Sequence, residues 1–353
     1  MAIVADRYRY VAGVDTHAQT HTLAIVDAST GREIDARTFP STPAANARAA
    51  LWLGRRCGDA ASVLVAMEGT NSFGATLRAV LSDSGYRVVE APKPCRSLRR
   101  SQGKSDRLDA VRAALAVLRL DAERLTEAKS HPTSQALRIL LVARQAMTRE
   151  RTASINALLA LLRTIDLGID ARRALSTQHI KAVAAWRGRV EAVATRFARS
   201  EGGRLAKRIL ELDEQLAKNL LELTTLVQDA APELLHMPGV GPVSGAVILS
   251  SWSQPGRVRS EAALASLAGT CPLPASSGNT TRHRLNRSGD RQLNRAMHTI
   301  TLVRMSHDAQ TKAYVHRRTL EGRTKKEIMR SLKRYVTRQV YRTLTANEGL
   351  DRI

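Results

Sequence analysis

Apolar positions recur with two different periods along this chain, and the change of period divides it. Residues 10–15 form a short apolar run ending on a carboxylate, 20–26 alternate as a second strand, and 33–39 make a third after the turn former at 27–31. Residues 44–56 read as a helix, 62–66 as a fully apolar strand, 73–84 as a helix stopped by Gly85, and 87–91 as a fifth strand. A basic loop (Pro92, Lys93, Pro94, Arg96, Arg99, Arg100) leads into Leu108, Val111, Ala114, Leu115 and Leu118, spaced along one helix face with Ser105 as the N-cap. The order β-β-β-α-β-α-β-α predicts a mixed sheet flanked by helices.

From about residue 125 the period becomes helical. Leu137, Leu140, Leu141, Arg144, Met147, Arg151, Ile155, Leu158, Leu159 and Leu162 give one long amphipathic stretch. Leu205, Ile209, Leu212, Leu216, Leu220, Leu223 and Leu226 give a second, stepping by three and four like a coiled-coil seam. A less regular region, 166–199, joins them. The expected organisation is an α/β domain over 1–124, a helical arm over 125–230 and a mainly α domain over 231–353.

Charge sharpens this picture. The 353 residues carry 55 Lys+Arg against 32 Asp+Glu, net +23. A charge of that size makes nucleic acid the default partner. Aromatic residues are only 3% of the chain, which argues against stacking platforms as the main binding device. Cys57, Cys95 and Cys271 are odd in number and far apart, the pattern of reduced thiols in a cytosolic protein rather than a zinc site or disulfide framework. No stretch approaches the ~18–20 apolar residues of a membrane span, and the charged first ten residues do not read as a signal peptide.

Four carboxylates fall where chemistry is expected. Asp106 and Asp109 are three apart, so both lie on one helix face, roughly 5–6 Å apart at Cβ. Such a pair repels unless a cation sits between them or one takes a proton. The plain alternative is an acidic helix start with one Asp paired to Arg107 or Arg112. Asp15 ends the first strand and Glu68 falls just past the fourth. If those strands are neighbours, as in ribonuclease-H-like folds, all four acids converge, and hard oxygen ligands of that kind suit Mg²⁺ or Mn²⁺. Two such ions ~4 Å apart serve in-line phosphodiester displacement. Asp27, Asp35 and Asp59 read as solvated caps; His17 and His21, close to Asp15, admit a metal role but read first as surface histidines of a hairpin.

Downstream, Gly239 and Gly241 in Met-Pro-Gly-Val-Gly-Pro (237–242) permit a tight turn whose backbone N–H groups can face phosphate, a helix-hairpin-helix-like clamp or a plain turn. Pro272, Pro274 and Gly278 leave Ser276 and Ser277 on a loop flanked by Arg282, Arg284, Arg287 and Arg291. Residues 282–342 hold 17 Lys+Arg against 4 Asp+Glu, and Arg330, Arg334, Arg338 and Arg342 form a stripe interleaved with Tyr335 and Tyr341. On composition alone the serine loop is a solvated loop. Its hydroxyl matters only if something activates it.

Taken in order, Gly-Val-Asp-x-His at 13–17, Met-Glu-Gly-Thr at 67–70, Lys-Ser-Asp-Arg-Leu-Asp-Ala at 104–110, Pro-Gly-Val-Gly-Pro at 238–242 and Leu-Ala-Gly…Ser-Gly at 267–278 resemble the DEDD transposases of bacterial insertion sequences, a family of bridge-RNA-guided serine recombinases. The resemblance spans nearly the whole chain. It implies a RuvC-like ribonuclease-H-fold N-terminal domain, a coiled-coil arm, and a C-terminal transposase domain with a nucleophilic serine. The family acids fall on Asp15, Glu68, Asp106 and Asp109. The family serine stands directly before glycine, which selects Ser277, although the doubled serine leaves the assignment open by one position. Ser105 stands where the family commonly has threonine and keeps the capping hydroxyl.

The resemblance further implies Mg²⁺- or Mn²⁺-dependent strand cleavage and exchange through a covalent phosphoserine. The implied partners are double-stranded donor and target DNA, a non-coding guide RNA, and further copies of the chain, dimer to tetramer, in the bacterial cytoplasm at the nucleoid. Two other classes use the same features. A structure-selective junction endonuclease with water as nucleophile would keep activity in Ser277→Ala, and a non-catalytic nucleic-acid scaffold would tolerate Asp106→Asn.

Overall fold

The computed structural model describes residues 2–92, 105–129, 131–278, 283–286 and 289–350, with no side chain described for 347–350. The chain divides into two compact units, Met1–Ser130 and His131–Ile353. In the first, α1 (Val4–Arg7) precedes β1 (Tyr10–Thr16), β2 (Thr20–Asp27) and β3 (Glu33–Pro40). Then come α2 (Pro43–Cys57), β4 (Val63–Met67), α3 (Ala75–Asp83), β5 (Arg87–Glu90) and α4 (Asp106–Leu115). The sheet order is β3-β2-β1-β4-β5. β1 pairs antiparallel with β2 and parallel with β4, so strands one and four are neighbours. This topology is consistent with a ribonuclease-H-like fold.

Alternation along β1 sorts the two faces of the sheet. Val11 packs with Val26, Leu64, Ala66 and Val89 against Ala114 of α4. Ala12 and Val14 pack with Leu23, Val65 and Met67 against Leu53 of α2 and Leu77 and Leu81 of α3. Gly13 lies on the α4 face, where a Cβ would come within 1.9 Å of the Ala110 carbonyl oxygen and 2.6 Å of the Ala114 nitrogen. The missing side chain lets helix backbone sit directly on strand backbone. After α4 the chain returns to the sheet: Glu90 donates its N–H to Thr126 O at 2.8 Å, and Arg87 bonds the Glu127 carboxylate and Ala122 O. The N-terminal unit therefore includes the residues just past 124.

His21 departs from the surface reading, with only 1% of it exposed. β2 lies between β1 and β3, and His21 shares the covered face with Leu23 and Ile25, paired across to Thr16 and Phe39. Burial pushes its pKa below the ordinary 6.5. A histidine that holds its proton less tightly when folded contributes stability that is complete above that value and lost as pH falls below it. Melting curves between pH 7 and pH 5 should therefore show a falling stability that His21→Leu flattens. An unchanged slope in the variant would assign the decline elsewhere.

The second unit is mainly helical. It comprises α5 (Pro132–Thr164), α6 (Thr177–Ala184), α7 (Val193–Ala230), α8 (Pro232–His236), α9 (Pro242–Trp252) and α10 (Glu261–Leu267). A two-stranded hairpin, β6 (Leu273–Pro274) and β7 (His283–Arg284), precedes α11 (Arg291–His307), α12 (Ala309–Leu320) and α13 (Lys325–Leu350). α5 and α7 run antiparallel: Asn219 donates to Leu140 O at 3.1 Å, Arg144 to Leu216 O at 3.0 Å, Arg151 pairs with Asp213, and Arg208 reaches Glu150 at 2.6 Å. The buried seam of α7 runs Leu205, Ile209, Leu212, Asn219, Leu223 and Val227, while Leu220 is exposed. A polar Asn thus occupies a seam position, satisfied by the facing helix. Near the start of α5, Leu137, Leu141, Leu223 and Val227 share a core with Leu249, Trp252, Ile300 and Val336. The segment beyond 231 is therefore built onto the base of the helix pair. Among the described residues no helix is long and apolar enough to cross a membrane.

Candidate metal centre and serine loop

The acidic centre is assembled at the end of β1. Ser105 caps α4, its hydroxyl accepting from the Leu108 N–H at 3.3 Å, and this fixes Asp106 and Asp109 in the first turn. Asp15 shares the α4 face of β1 with Gly13 by strand alternation. Asp15, His17 and Asp106 offer ligand atoms that all lie within 4.8 Å of one another. The His17 Nε2 stands 3.0 Å from Asp15 Oδ2 and 3.5 Å from Asp106 Oδ1. Asp15 is the sheltered member, its side chain 14% exposed, whereas His17 and Asp106 are about half exposed at 49% and 51%. Burial pushes the Asp15 pKa up, His17 opposes the rise, and the charges of Asp106 and Asp109 add to it.

Asp109 lies near enough to act on Asp15 but bonds Arg112 at 2.8 Å, outside the trio of close ligand atoms. Glu68 directly follows β4, and its N–H extends the ladder by donating to Val14 O at 3.2 Å. Its carbonyl accepts from the Thr16 hydroxyl at 2.9 Å. Gly69 then turns with φ +68°, where a Cβ would meet the Thr16 hydroxyl at 2.7 Å. The backbone of Glu68 is therefore pinned beside the end of β1. Of the four acids, Asp15 and Asp106 offer oxygens within 4.8 Å of each other, Asp109 neighbours them, and Glu68 stands just past the end of the adjoining strand. His17, exposed as a hairpin histidine is expected to be, stands with them. Its signal was the Asp-x-His spacing, since residues two apart on extended chain share a face. Two carboxylates and an imidazole gathered this closely form a donor set that a divalent cation fits.

Ser276 and Ser277 are exposed on the loop between β6 and β7, and Gly278 turns at φ +54°. Arg282 and Arg287 lie outside the described residues. Arg284 is exposed on β7, and Arg291 opens α11 behind the Asp290 cap. Arg330 is exposed on α13. Arg334 and Arg338 both reach Glu261, at 2.7 and 2.9 Å. The turn at 238–241 is fastened to α11: a Cβ on Gly239 would meet Ile300 O at 2.9 Å, and Arg304 donates to Pro238 O at 2.6 Å. The Gly241 N–H is engaged by the Ser244 hydroxyl at 3.0 Å.

A sheet of this order, with carboxylates gathered where β1 ends and α4 begins, defines an α/β domain with an acidic centre, consistent with a ribonuclease-H-like fold. A DEDD-type, IS110-group family model described as Transposase matches residues 12–166, and one described as Transposase IS116/IS110/IS902 family matches residues 231–316. A Streptomyces coelicolor relative, the insertion element IS110 uncharacterized 43.6 kDa protein, is 31% identical over 133 residues, 37% of this chain. The match spans 33% of that relative's length. The chain belongs to the IS110 family of DEDD transposases.

Proposed function

We propose that this chain is the DNA transposase of an insertion sequence, cutting and exchanging strands with a serine nucleophile under the guidance of a non-coding bridge RNA. The observation that carries this reading is the meeting of Asp15, His17 and Asp106 at the end of the central strand, with Asp109 and Glu68 beside it. Asp15, Glu68, Asp106 and Asp109 would hold Mg²⁺ or Mn²⁺, which when bound polarises the scissile phosphate and offsets its developing charge. The hydroxyl of Ser277 attacks phosphorus. Its O–P bond forms as the bond to the leaving strand breaks, and the serine proton passes to the leaving oxygen. The resulting phosphoserine keeps the bond energy available for rejoining to a second strand.

Double-stranded donor and target DNA are the substrates, and pairing with the guide RNA selects them. Arg284, Arg291 and Arg330 supply backbone charge, with Arg334 and Arg338 beside Glu261 and the Gly239–Gly241 turn contributing contacts. The antiparallel α5–α7 pair serves as a coiled-coil arm for self-association into a dimer or tetramer. Its exposed Ile139, Val142 and Leu221 support that role.

The test is denaturing electrophoresis of the chain with labelled target DNA and the RNA transcribed beside its gene. A covalent protein–DNA adduct is expected in the wild type and in Ser276→Ala, and none in Ser277→Ala. Cleavage that persists in Ser277→Ala without any adduct would instead make water the nucleophile and the chain a junction endonuclease.

A further inference from the structure

The C-terminal unit holds a cavity of about 610 Å³ lined by α13, residues at and just past the end of α12, the stretch 269–272 and the β7 side of the hairpin. Its lining is cationic, with Arg284, Arg318, Arg330, Lys333 and Arg334, against Glu327 as the one acid among the described lining residues. Lys333 stands apart from the arginines. The residue is 9% exposed, and its ammonium donates to the neutral side-chain carbonyl of Asn294 at 2.8 Å. Among the described residues no carboxylate accompanies it, whereas Arg334 has Glu261 and Arg318 has Glu321.

Asn294 is itself held by donating to Ala268 O at 2.6 Å and Gly269 O at 3.3 Å, which keeps its carbonyl on Lys333. Burial pushes the Lys333 pKa down, the expected response of a desolvated cation lacking a counter-charge. Buried charges are ordinarily paired, so a buried ammonium on a residue that lines a cationic cavity calls for an anion from outside.

Tyr335 lines the same cavity and is 47% exposed. Tyr314 meets it edge-on at 5.9 Å, and the Arg338 guanidinium lies over the ring 5.8 Å from its centre, so the ring is braced at one edge and on one face while close to half of the residue stays exposed. An aromatic ring beside a line of cations is the combination that stacks one base while the cations take its phosphate. The volume falls within the roughly 300–1,000 Å³ of small-ligand sites. A single nucleotide fits a site of that size.

We propose that this cavity takes one unpaired nucleotide of a nucleic-acid strand, its phosphate on Lys333 and the neighbouring arginines and its base against Tyr335. The proposal rests on the reading of the chain as a nucleic-acid enzyme and adds to it a site for single-stranded substrate.

The experiment uses the full chain and a short oligonucleotide carrying 2-aminopurine, offered as single-stranded DNA, as single-stranded RNA and as a duplex. Anisotropy reads affinity and 2-aminopurine quenching reads stacking. Lys333→Met, which keeps length and volume, should weaken single-strand binding about tenfold while melting no lower than the wild type. Tyr335→Leu should abolish the quenching, and neither variant should weaken duplex binding comparably. Binding of either strand type supports the site, and the tighter one names its source. Unchanged binding in Lys333→Met, with or without a lower melting point, overturns the proposal, as does an equal loss on the duplex. A wild-type chain that binds no nucleic acid at all would refute the functional reading itself.

Discussion

Asp15→Asn is expected to reduce DNA cleavage by roughly 10³-fold or more while the metal-free protein melts no lower than the wild type. The second half of that expectation follows from the site. Asp15 is the most sheltered of the clustered acids, and burial, with Asp106 and Asp109 adding to it, raises its pKa. A carboxyl that holds its proton more tightly when folded contributes stability that is complete below the ordinary value near 3.8 and lost as pH rises through the folded value. At neutral pH the ionised Asp15 therefore opposes folding, and asparagine removes the charge while keeping the shape. A divalent ion should raise the melting point of the wild type and leave that of Asp15→Asn unmoved. A variant that melts well below the wild type without metal would make Asp15 a structural residue.

Gly13→Ala is expected to be the most damaging single methyl group in the N-terminal unit. The added carbon would lie 1.9 Å from the Ala110 carbonyl oxygen and 2.6 Å from the Ala114 nitrogen, both backbone atoms. No rotamer relieves such a clash, so α4 must lift from the sheet. Overpacking of this kind costs about 3 kcal/mol or more. Because α4 carries Asp106 and Asp109, the same shift separates them from Asp15. Denaturant unfolding should show the loss of stability, and the surviving folded protein should bind divalent ion more weakly. A variant of wild-type stability would contradict the close approach of strand and helix.

Much of the N-terminal unit was legible because its strands are apolar runs bounded by turn formers and its last helix is capped by Ser105. The pairing of β1 with β4 stood only as a condition, since periodicity says which face a strand buries and not which strand lies beside it. The burial of His21 was hidden for the same reason: it depends on β3 closing over the outer edge of β2. In α7 the Leu216–Leu220 spacing and the Leu212–Asn219–Leu223 spacing are both helical, and only packing against α5 decides that Asn219 goes in. The arginine stripe at 330, 334 and 338 was legible as a stripe. That Glu261 faces two of its members, and that Lys333 is buried beside them, depends on contacts between residues far apart in the chain. A histidine near a turn is ordinarily a surface residue, and His17 is one; that it also stands beside Asp106 depends on α4 packing against β1.

On the proposed reading, Asp15 and Asp106, from strand and helix, act as one divalent-cation site. Electron paramagnetic resonance of Mn²⁺ titrated into the full chain tests it without any substrate. Bound Mn²⁺ is expected in the wild type and in Ser277→Ala, and its loss in both Asp15→Asn and Asp106→Asn. Equal binding in all four proteins, or none in the wild type, would contradict it.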